Sequence, residues 1–279
     1  MQLMRLKPWI DKTKIDFEWL SDNPNAVSFL EHHDNWFNIN WNMLSGNPNA
    51  FHILENYPEN ISWYYLSQNT SIDVVQTMLE KNIEKIDWSR LSSNTSAIKL
   101  IEQNLDKIDW DYLSENMNAI HILEQNKDKI SWVYLSKNPN ALHLLEQNLD
   151  KINWTFLSAN TSPKAINLLE NNLDKINWSC LCMNPSAIHL LEANPDKIKW
   201  EHLSVNKNAL HILEKNQDKL VWKFLSLNSG IFEYDYELIT QRMDILRDDL
   251  IARFYHYDRL EHFNTLGICS IDDFFGCNS

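Results

Sequence analysis

Six basic side chains recur at one position of an internal repeat and are candidates for chemistry. Histidine takes up a proton near pH 6.5 and binds metals, so such a row could recognise an acidic partner or hold zinc. Packed helices lie about 8–10 Å apart and zinc ligands lie about 2 Å from the ion, so one histidine per repeat cannot converge on a metal. Two interpretations stay open: a partner-binding row, or a solvated position copied by duplication. The residues are His52, Lys99, His121, His143, His189 and His211.

A second row is largely aromatic and lies near the start of each repeat. Exposed aromatic side chains are frequent at the centre of protein interfaces, so this row is a candidate partner-binding surface. The competing interpretation is that the rings fill the contact between stacked repeats. The candidate residues are Tyr65, Arg90, Tyr112, Tyr134, Phe156 and His202; Trp19, Met43, Cys180 and Phe224 occupy the same position.

Catalytic and metal-binding motifs are not found in the sequence. The chain has four Gly in 279 residues and no phosphate-binding glycine loop, nucleophile elbow or zinc-protease helix motif. Cys180-x-Cys182 lies on ordinary repeat positions, and the triplet at 32–34 (His-His-Asp) has no fourth partner. A Glu that recurs from Glu31 to Glu214 indicates ion pairs between repeats rather than paired acid and base catalysts. We predict a protein without a catalytic site, metal or cofactor.

These rows belong to a repeat of 22 residues that occurs ten times. Each repeat opens with an aromatic anchor in the pattern W-x-x-L-S-x-N, and six of the nine spacings between anchors are 22 residues. The other spacings are 24 or 25, which places short insertions in the first, third and seventh repeats. Positions are numbered below from the anchor as zero. The anchors are Phe17, Trp41, Trp63, Trp88, Trp110, Trp132, Trp154, Trp178, Trp200 and Trp222.

Each repeat carries the signals of two short helices. Asp, Asn or Ser precedes the anchor in eight repeats, as Asp109 does, and these side chains cap helix starts. A second capping residue is predicted at +8, as at Asn118, before apolar residues at helical spacing. Asn at +6 and near +16 is predicted to end each helix in the left-handed conformation, as Asn116 and Asn126 would.

Helices this short are unstable alone and must stack, so the sequence predicts an all-α fold, an α-solenoid. A leucine-rich repeat is the alternative, but the unit lacks alternating strand residues. The predicted organisation is an N-terminal lead-in or cap (1–14), a ten-repeat array (15–228) and an acidic C-terminal helical cap (229–279). The predicted structural core contains Trp41, Trp63, Trp88, Trp110, Trp132, Trp154, Trp178, Trp200 and Trp222.

Charge and hydropathy limit the classes of partner. The formal net charge is −13, which opposes non-specific nucleic-acid binding because phosphate needs a basic surface. No signal peptide or run of about 18 apolar residues is evident, and the four Cys fit a reducing compartment, so we expect an intracellular protein without a membrane span.

Several repeats, such as "LSKNPNALHLLEQNLDKINW", resemble the short-repeat proteins of large DNA viruses, the mimivirus and phycodnavirus relatives. The resemblance covers roughly residues 15–265 and includes the segment around Tyr255, although His256-Tyr257 stands where that family usually has His-Pro. It implies a repeat fold and a viral origin, with a location in the host cytoplasm, a virus factory or the virion. It implies no particular activity.

Together these features predict a non-enzymatic scaffold that presents an extended surface to a host or viral protein. A self-associating structural component of a virus particle or factory is the alternative, and single-stranded nucleic-acid binding on the aromatic row is a third. The C-terminal segment is interpreted as an end cap or as a docking module.

Overall fold

The computed structural model describes residues 4–31 and 36–254, with side chains up to residue 251. The all-α repeat prediction is confirmed over this part of the chain: short helices follow one another in pairs, and strands are limited to two of three residues each. The triplet at 32–34, Phe274-Phe275 and the two C-terminal cysteines lie outside the described residues.

The first helix of every repeat begins at its anchor. The first helices are Phe17–Leu20, Trp41–Gly46, Trp63–Leu66, Trp88–Ser92, Trp110–Glu115, Trp132–Leu135, Trp154–Leu157, Trp178–Met183, Trp200–Leu203 and Trp222–Leu225. The second helices are Val27–Leu30, Phe51–Asn56, Ile72–Val74 with a π-helical continuation over Val75–Leu79, Ile98–Glu102, Ile120–Gln125, Leu142–Glu146, Pro163–Glu170, Ile188–Ala193 and Leu210–Lys215. Single 3₁₀ turns connect most repeats, and in the tenth repeat such a turn, Ser229–Ile231, follows the first helix.

Leucine forms the centre of the core. The Leu at +3 is fully buried in every repeat, as in Leu113 and Leu135. The aliphatic residue near +13, such as Leu123, is fully buried in the first nine repeats. The anchor tryptophans, predicted as core, lie at its margin, where each is partly buried and packs against these leucines. An indole ring is too large for the space between such closely packed helices, so its outer face stays at the surface.

Serine at +4 joins each repeat to the next. Its hydroxyl donates to the anchor carbonyl four residues earlier, as Ser114 does to Trp110 at 2.7 Å. It also accepts the backbone N–H that precedes the next anchor, as from Ser131 at 3.0 Å. In the eighth repeat the Sγ of Cys182 accepts from the N–H of Lys199 at 3.2 Å. A larger residue would separate the two repeats.

Asparagine at +6 is used differently from the prediction. Asn116 has φ −72° and ψ 111°, which is extended and not left-handed, and Asn126 has φ −130°. The +6 side chain is buried, and its amide donates to two carbonyls of the preceding repeat: Asn138 reaches the carbonyls of Ser114 and Asn116 at 3.0 Å each. The same pair of bonds forms in all ten repeats at 2.8–3.1 Å.

Six of the eight predicted caps of the first helices are present, whereas Ser62 and Ser131 accept no N–H, and the residues predicted to cap the second helices do not cap them. Asp109 accepts from the N–H groups of Asp111 and Tyr112, as expected for a helix start. The second helix instead begins after the Ala at +9, which has no capping side chain, as at Ala119. Asn118, predicted to cap it, donates across the repeat boundary to the Thr95 carbonyl at 2.9 Å. The +8 side chain is therefore another bond between repeats.

The array closes on itself. Asn23 of the first repeat donates to the carbonyls of Ser226 and Asn228 of the tenth, at 2.8 and 3.0 Å, in the pattern found between consecutive repeats. The Asp16 N–H donates to the Ser226 hydroxyl at 2.9 Å, and the Trp19 and Phe224 rings lie 5.4 Å apart. Each repeat thus has two neighbours, and the ten repeats form a ring.

A two-stranded sheet lies beside the closure. Strand β1 (Met4–Leu6) pairs with β2 (Phe232–Tyr234), and the Lys7 N–H donates to the Ile231 carbonyl at 2.8 Å. Residues 4–14 and 229–233, predicted as parts of the lead-in and cap, belong to the same compact unit as the repeats. The face of the last repeat that the cap was expected to cover is occupied by the first repeat.

A second compact unit begins at Tyr234 and contains one long helix, Tyr236–Phe254. This helix lies within the segment predicted as an acidic C-terminal helical cap (229–279). Its apolar residues Met243, Leu246 and Leu250 are 53–69% exposed.

Candidate interaction surface

The first helices form the inner wall of the ring. Four pairs of consecutive first helices contact one another more extensively than any pair of consecutive second helices does. On a closed circle the elements nearer the centre lie closer together, so the first helices are the inner layer. Positions 0, +3, +4 and +6 of these helices face the core, which leaves +1, +2 and +5 to form the inner surface. The side chain of Asp22, at +5, is exposed at this surface. Protein atoms around it partly desolvate its carboxyl, which raises the pKa of that carboxyl.

Five successive repeats place a row of side chains on this wall, four with aromatic rings and one with Arg90, which we call the aromatic ladder. Tyr134 lies 5.5 Å from Tyr112 and 5.2 Å from Phe156, measured between ring centroids. The guanidinium of Arg90 lies 4.4 Å from the Tyr64 ring and 5.6 Å from the Tyr112 ring. Tyr64 contacts Tyr65 at 5.1 Å and completes the ladder: Tyr64, Tyr65, Arg90, Tyr112, Tyr134 and Phe156.

The ladder rings fill contacts between repeats, as the second interpretation of the aromatic row expected, and partner binding stays a prediction. The +2 rings contact one another across repeat boundaries and stay partly exposed. The neighbouring +1 side chains are more open, with Tyr64 42% and Val133 41% exposed. Tyr64 was missed in the sequence analysis because its +1 position has no aromatic pattern in other repeats. Cys180 and His202 occupy +2 in the eighth and ninth repeats, both partly buried, and interrupt the row.

Carboxylates surround the middle of the ladder. Partial desolvation raises the pKa of the Tyr134 phenol, with further contributions from Tyr112 and from the carboxylates of Asp111, Glu115 and Asp109. Lys137 pairs with Glu115 at 3.0 Å, and Asp109 also caps its own helix. Aromatic faces carry negative quadrupole charge, so rings and carboxylates together favour a cation.

The histidine row lies on the second helices and is matched by glutamates. His52, His121, His143, His189 and His211 each place Nε2 2.7–2.9 Å from a Glu of the preceding repeat, with half of the side chain exposed. The partners are Glu31, Glu102, Glu124, Glu170 and Glu192, so the recurring glutamate makes side-chain contacts between repeats, here with histidine. Lys99 occupies the same exposed position in the fourth repeat. Each pair is balanced in charge when the histidine is protonated.

Lysine side chains cover the anchor tryptophans. The lysine three residues before an anchor places Nζ over the indole of the preceding repeat, as Lys151 does over Trp132 at 4.3 Å. The contact recurs over seven of the nine tryptophan anchors at 4.3–5.1 Å, including Lys14 over Trp222 at the closure. These lysines were not identified from the sequence, although their spacing from the anchor was visible.

Reactive groups are few in the described part of the chain. Burial raises the pKa of the Cys180 and Cys182 thiols, so neither is a ready nucleophile or metal ligand, and both are free thiols. Among residues 4–31 and 36–251, no three His, Cys, Asp or Glu side chains converge on a possible metal position. Within the described chain, none of the helices combines the length and apolar character that a membrane crossing requires.

Comparisons with models of protein families, with curated proteins and with solved structures find no match to this chain. The resemblance to viral short-repeat proteins therefore stays a prediction from sequence.

Proposed function

We propose that this protein is a non-enzymatic interaction module whose binding surface is the aromatic ladder. The observation that supports this most directly is the continuous series of contacts from Tyr65 to Phe156 across five repeats. Arg90 joins the tyrosine rings on either side of it, and successive groups lie 4.4–5.6 Å apart. Tyrosine and arginine are enriched among the residues that dominate binding energy at interfaces. The ring of hydrogen-bonded repeats holds these side chains in a fixed row, which lowers the entropic cost of binding.

The partner that fits this surface is a protein segment rich in Arg or Lys. Arg90 already lies between the Tyr64 and Tyr112 rings, so the ladder accommodates a guanidinium within the chain itself. The carboxylate of Asp111 adds charge complementarity, and the overall charge of −13 favours approach of a basic segment.

Two other functions are less well supported. End-to-end self-association needs free faces at the array ends, and the first and tenth repeats use those faces to bind each other. Single-stranded nucleic acid could stack on the rings, but the neighbouring carboxylates and the net charge repel phosphate. The histidine row offers no excess positive charge to an acidic partner because each paired histidine faces a glutamate. A viral origin and an intracellular location rest on the sequence features alone.

Binding of short synthetic peptides tests this proposal. We expect an Arg-rich unstructured peptide to bind the intact chain in fluorescence anisotropy, and an acidic peptide of equal length not to bind. The double variant Tyr112→Ser with Tyr134→Ser should weaken binding about tenfold or more, since each aromatic contact contributes roughly 1 kcal/mol or more.

The control is Tyr236→Ser, which removes an exposed tyrosine side chain, 69% accessible, from the C-terminal helix. Circular dichroism establishes that both proteins are folded. Equal binding of the Arg-rich peptide by the double variant, the control and the intact chain would reject the ladder as the binding surface.

A further inference from the structure

The inner wall of the ring surrounds a central opening. The wall consists of the +1, +2 and +5 side chains of the ten repeats, all of which lie in the described part of the chain. Every +2 side chain is partly exposed, and eight of the ten +1 side chains are exposed. Water therefore reaches the wall on all sides of the ring, and the opening is continuous with solvent.

The spacing of the aromatic rings sets the width of this opening. The Trp19 and Phe224 rings lie 5.4 Å apart. On the opposite side of the ring, Tyr134 lies 5.5 Å from Tyr112 and 5.2 Å from Phe156. Ten such spacings close a circle about 17 Å across between ring centroids, and non-bonded contact at about 3.5 Å leaves room for a guest roughly 13 Å wide.

An opening of this width selects a single segment of polypeptide. An α-helix with its side chains is about 10–12 Å in diameter, so one helix or one extended strand fits. A folded domain of about 100 residues has a radius of gyration near 13 Å and is about twice as wide as the opening. A segment therefore enters a closed ring by a free end, and a segment between two folded domains is excluded.

The unpaired charges on the wall are negative. Four carboxylates of the first, fifth and ninth repeats are exposed, and none of them forms an ion pair within residues 4–31 and 36–251. They are Glu18, Asp22, Asp111 and Glu201. Because these repeats are spread around the ring, a basic segment in the opening meets carboxylates on several of its sides.

The cations of the same wall already have partners. Lys137 pairs with Glu115 at 3.0 Å, and Lys223 lies 4.6 Å from the Trp19 ring. Arg90 lies between two tyrosine rings of the ladder. These contacts show that the wall binds cations through both carboxylates and ring faces, which are the contacts that Arg and Lys side chains of a guest would make.

We propose that the basic partner segment passes through the central opening, so that the ring surrounds it and the wall contacts it from all sides. This mode of binding rests on the proposed function, because it takes the aromatic ladder as part of the binding surface. It adds the rest of the wall to the site, including the Trp19 and Phe224 rings opposite the ladder. It also requires that the partner segment have a free end.

Bulky domains on the peptide test passage through the ring. Three forms of one Arg-rich peptide would be titrated into the full chain by fluorescence anisotropy: free, joined by a flexible linker to a folded domain at one end, and joined to such domains at both ends. The first two should bind equally, and the third at least about tenfold more weakly, because both of its ends are too wide for the opening.

The outcomes separate this inference from the proposed function. Equal binding of the forms with one and two domains would overturn passage through the ring and leave the ladder as a binding surface. No binding of any form would reject both.

The rate of dissociation gives a second test. A folded protein that captures a tag on the free end would be added after the peptide with one domain has bound. Dissociation should then slow at least about tenfold, because the segment can leave only when the ring opens or unfolds. An unchanged dissociation rate would overturn the proposal.

A pair of glutamates in the ninth repeat tests contact away from the ladder. Glu201 lies on the inner wall, whereas Glu214 is exposed on the second helix of the same repeat. Glu201→Gln should weaken binding of the Arg-rich peptide about threefold, and the matched control Glu214→Gln should leave it unchanged. Equal affinity of the two variants would confine the contact to the ladder and overturn the proposal.

Discussion

At the scale of single residues, the asparagine at +6 makes more bonds between repeats than any other side chain described. Its amide donates to two carbonyls of the preceding repeat, and its oxygen accepts the N–H two residues ahead, as Asn138 does from Asn140 at 3.0 Å. Aspartate cannot donate, and the longer side chain of glutamine would place its amide elsewhere. Because the site is buried, leaving its backbone partners unsatisfied costs free energy for each group.

A matched pair of asparagines in one repeat tests this. Asn138→Ala should lower the free energy of unfolding by about 3 kcal/mol, since two carbonyls and one N–H lose a buried partner. Asn140→Ala should cost about 1 kcal/mol or less, because Asn140 makes a single exposed bond to the Met117 carbonyl. Urea unfolding followed by circular dichroism measures both, and equal losses would contradict the assigned role.

At the scale of elements, the helices are too short to be stable by themselves and depend on caps and neighbours. The side chain of the residue before the anchor caps six of the ten first helices, as Asp109 does. A lysine of the next repeat covers most anchor rings, as Lys129 covers Trp110. The caps are not all equal. Asp109 accepts two N–H groups, whereas the side chain of Ser131 accepts none at the start of the next first helix.

This difference makes a second pair of substitutions informative. Asp109→Ala should lower stability by about 1 kcal/mol through loss of the cap. Ser131→Ala should change it by less than about 0.5 kcal/mol, because only its backbone N–H, bound to Ser114, takes part. The midpoint of thermal unfolding compares the two proteins. A larger effect for Ser131 would show that the hydroxyl makes a stabilising contact in solution.

At the scale of the repeat array, ring closure buries the two end faces against each other, in a contact like the one between consecutive repeats. Repeat proteins normally need end caps because each unit buries its apolar surface only against neighbours. Here the tenth and first repeats form the same hydrogen bonds as consecutive repeats do. Two further contacts join them: the pairing of β1 with β2 and an ion pair between Arg5 and Glu233 at 3.1 Å. Cooperative unfolding of the ring as a whole follows from this arrangement.

Circular permutation tests closure directly. Residue 234 would be joined to residue 4 by a flexible linker of about eight residues, which spans roughly 15 Å on average, and new ends would be opened between Asn126 and Lys127. The permuted chain should keep its helix content and a melting temperature within about 5 °C of an unpermuted 4–234 protein. An open array could not bring these ends together, so an unfolded permutant beside a folded control would disprove the ring.

The sequence by itself determined the repeat, its two short helices and the buried leucines, because capping and helical periodicity act over a few residues. It also located the aromatic and histidine rows. It did not reveal the role of Asn138, whose acceptors lie 22 and 24 residues earlier, so a local signal was interpreted as a helix end.

Only the tertiary structure decided that the array is a ring. The sequence of each repeat specifies the contact with its neighbour. Closure of ten repeats requires that each repeat be rotated relative to the preceding one by one tenth of a turn on average. Small differences in that rotation accumulate along the chain and would open the array. Asn23 and Ser226 are 203 residues apart, and their hydrogen bond forms only because all the contacts between repeats add up to a closed ring. No single repeat specifies it.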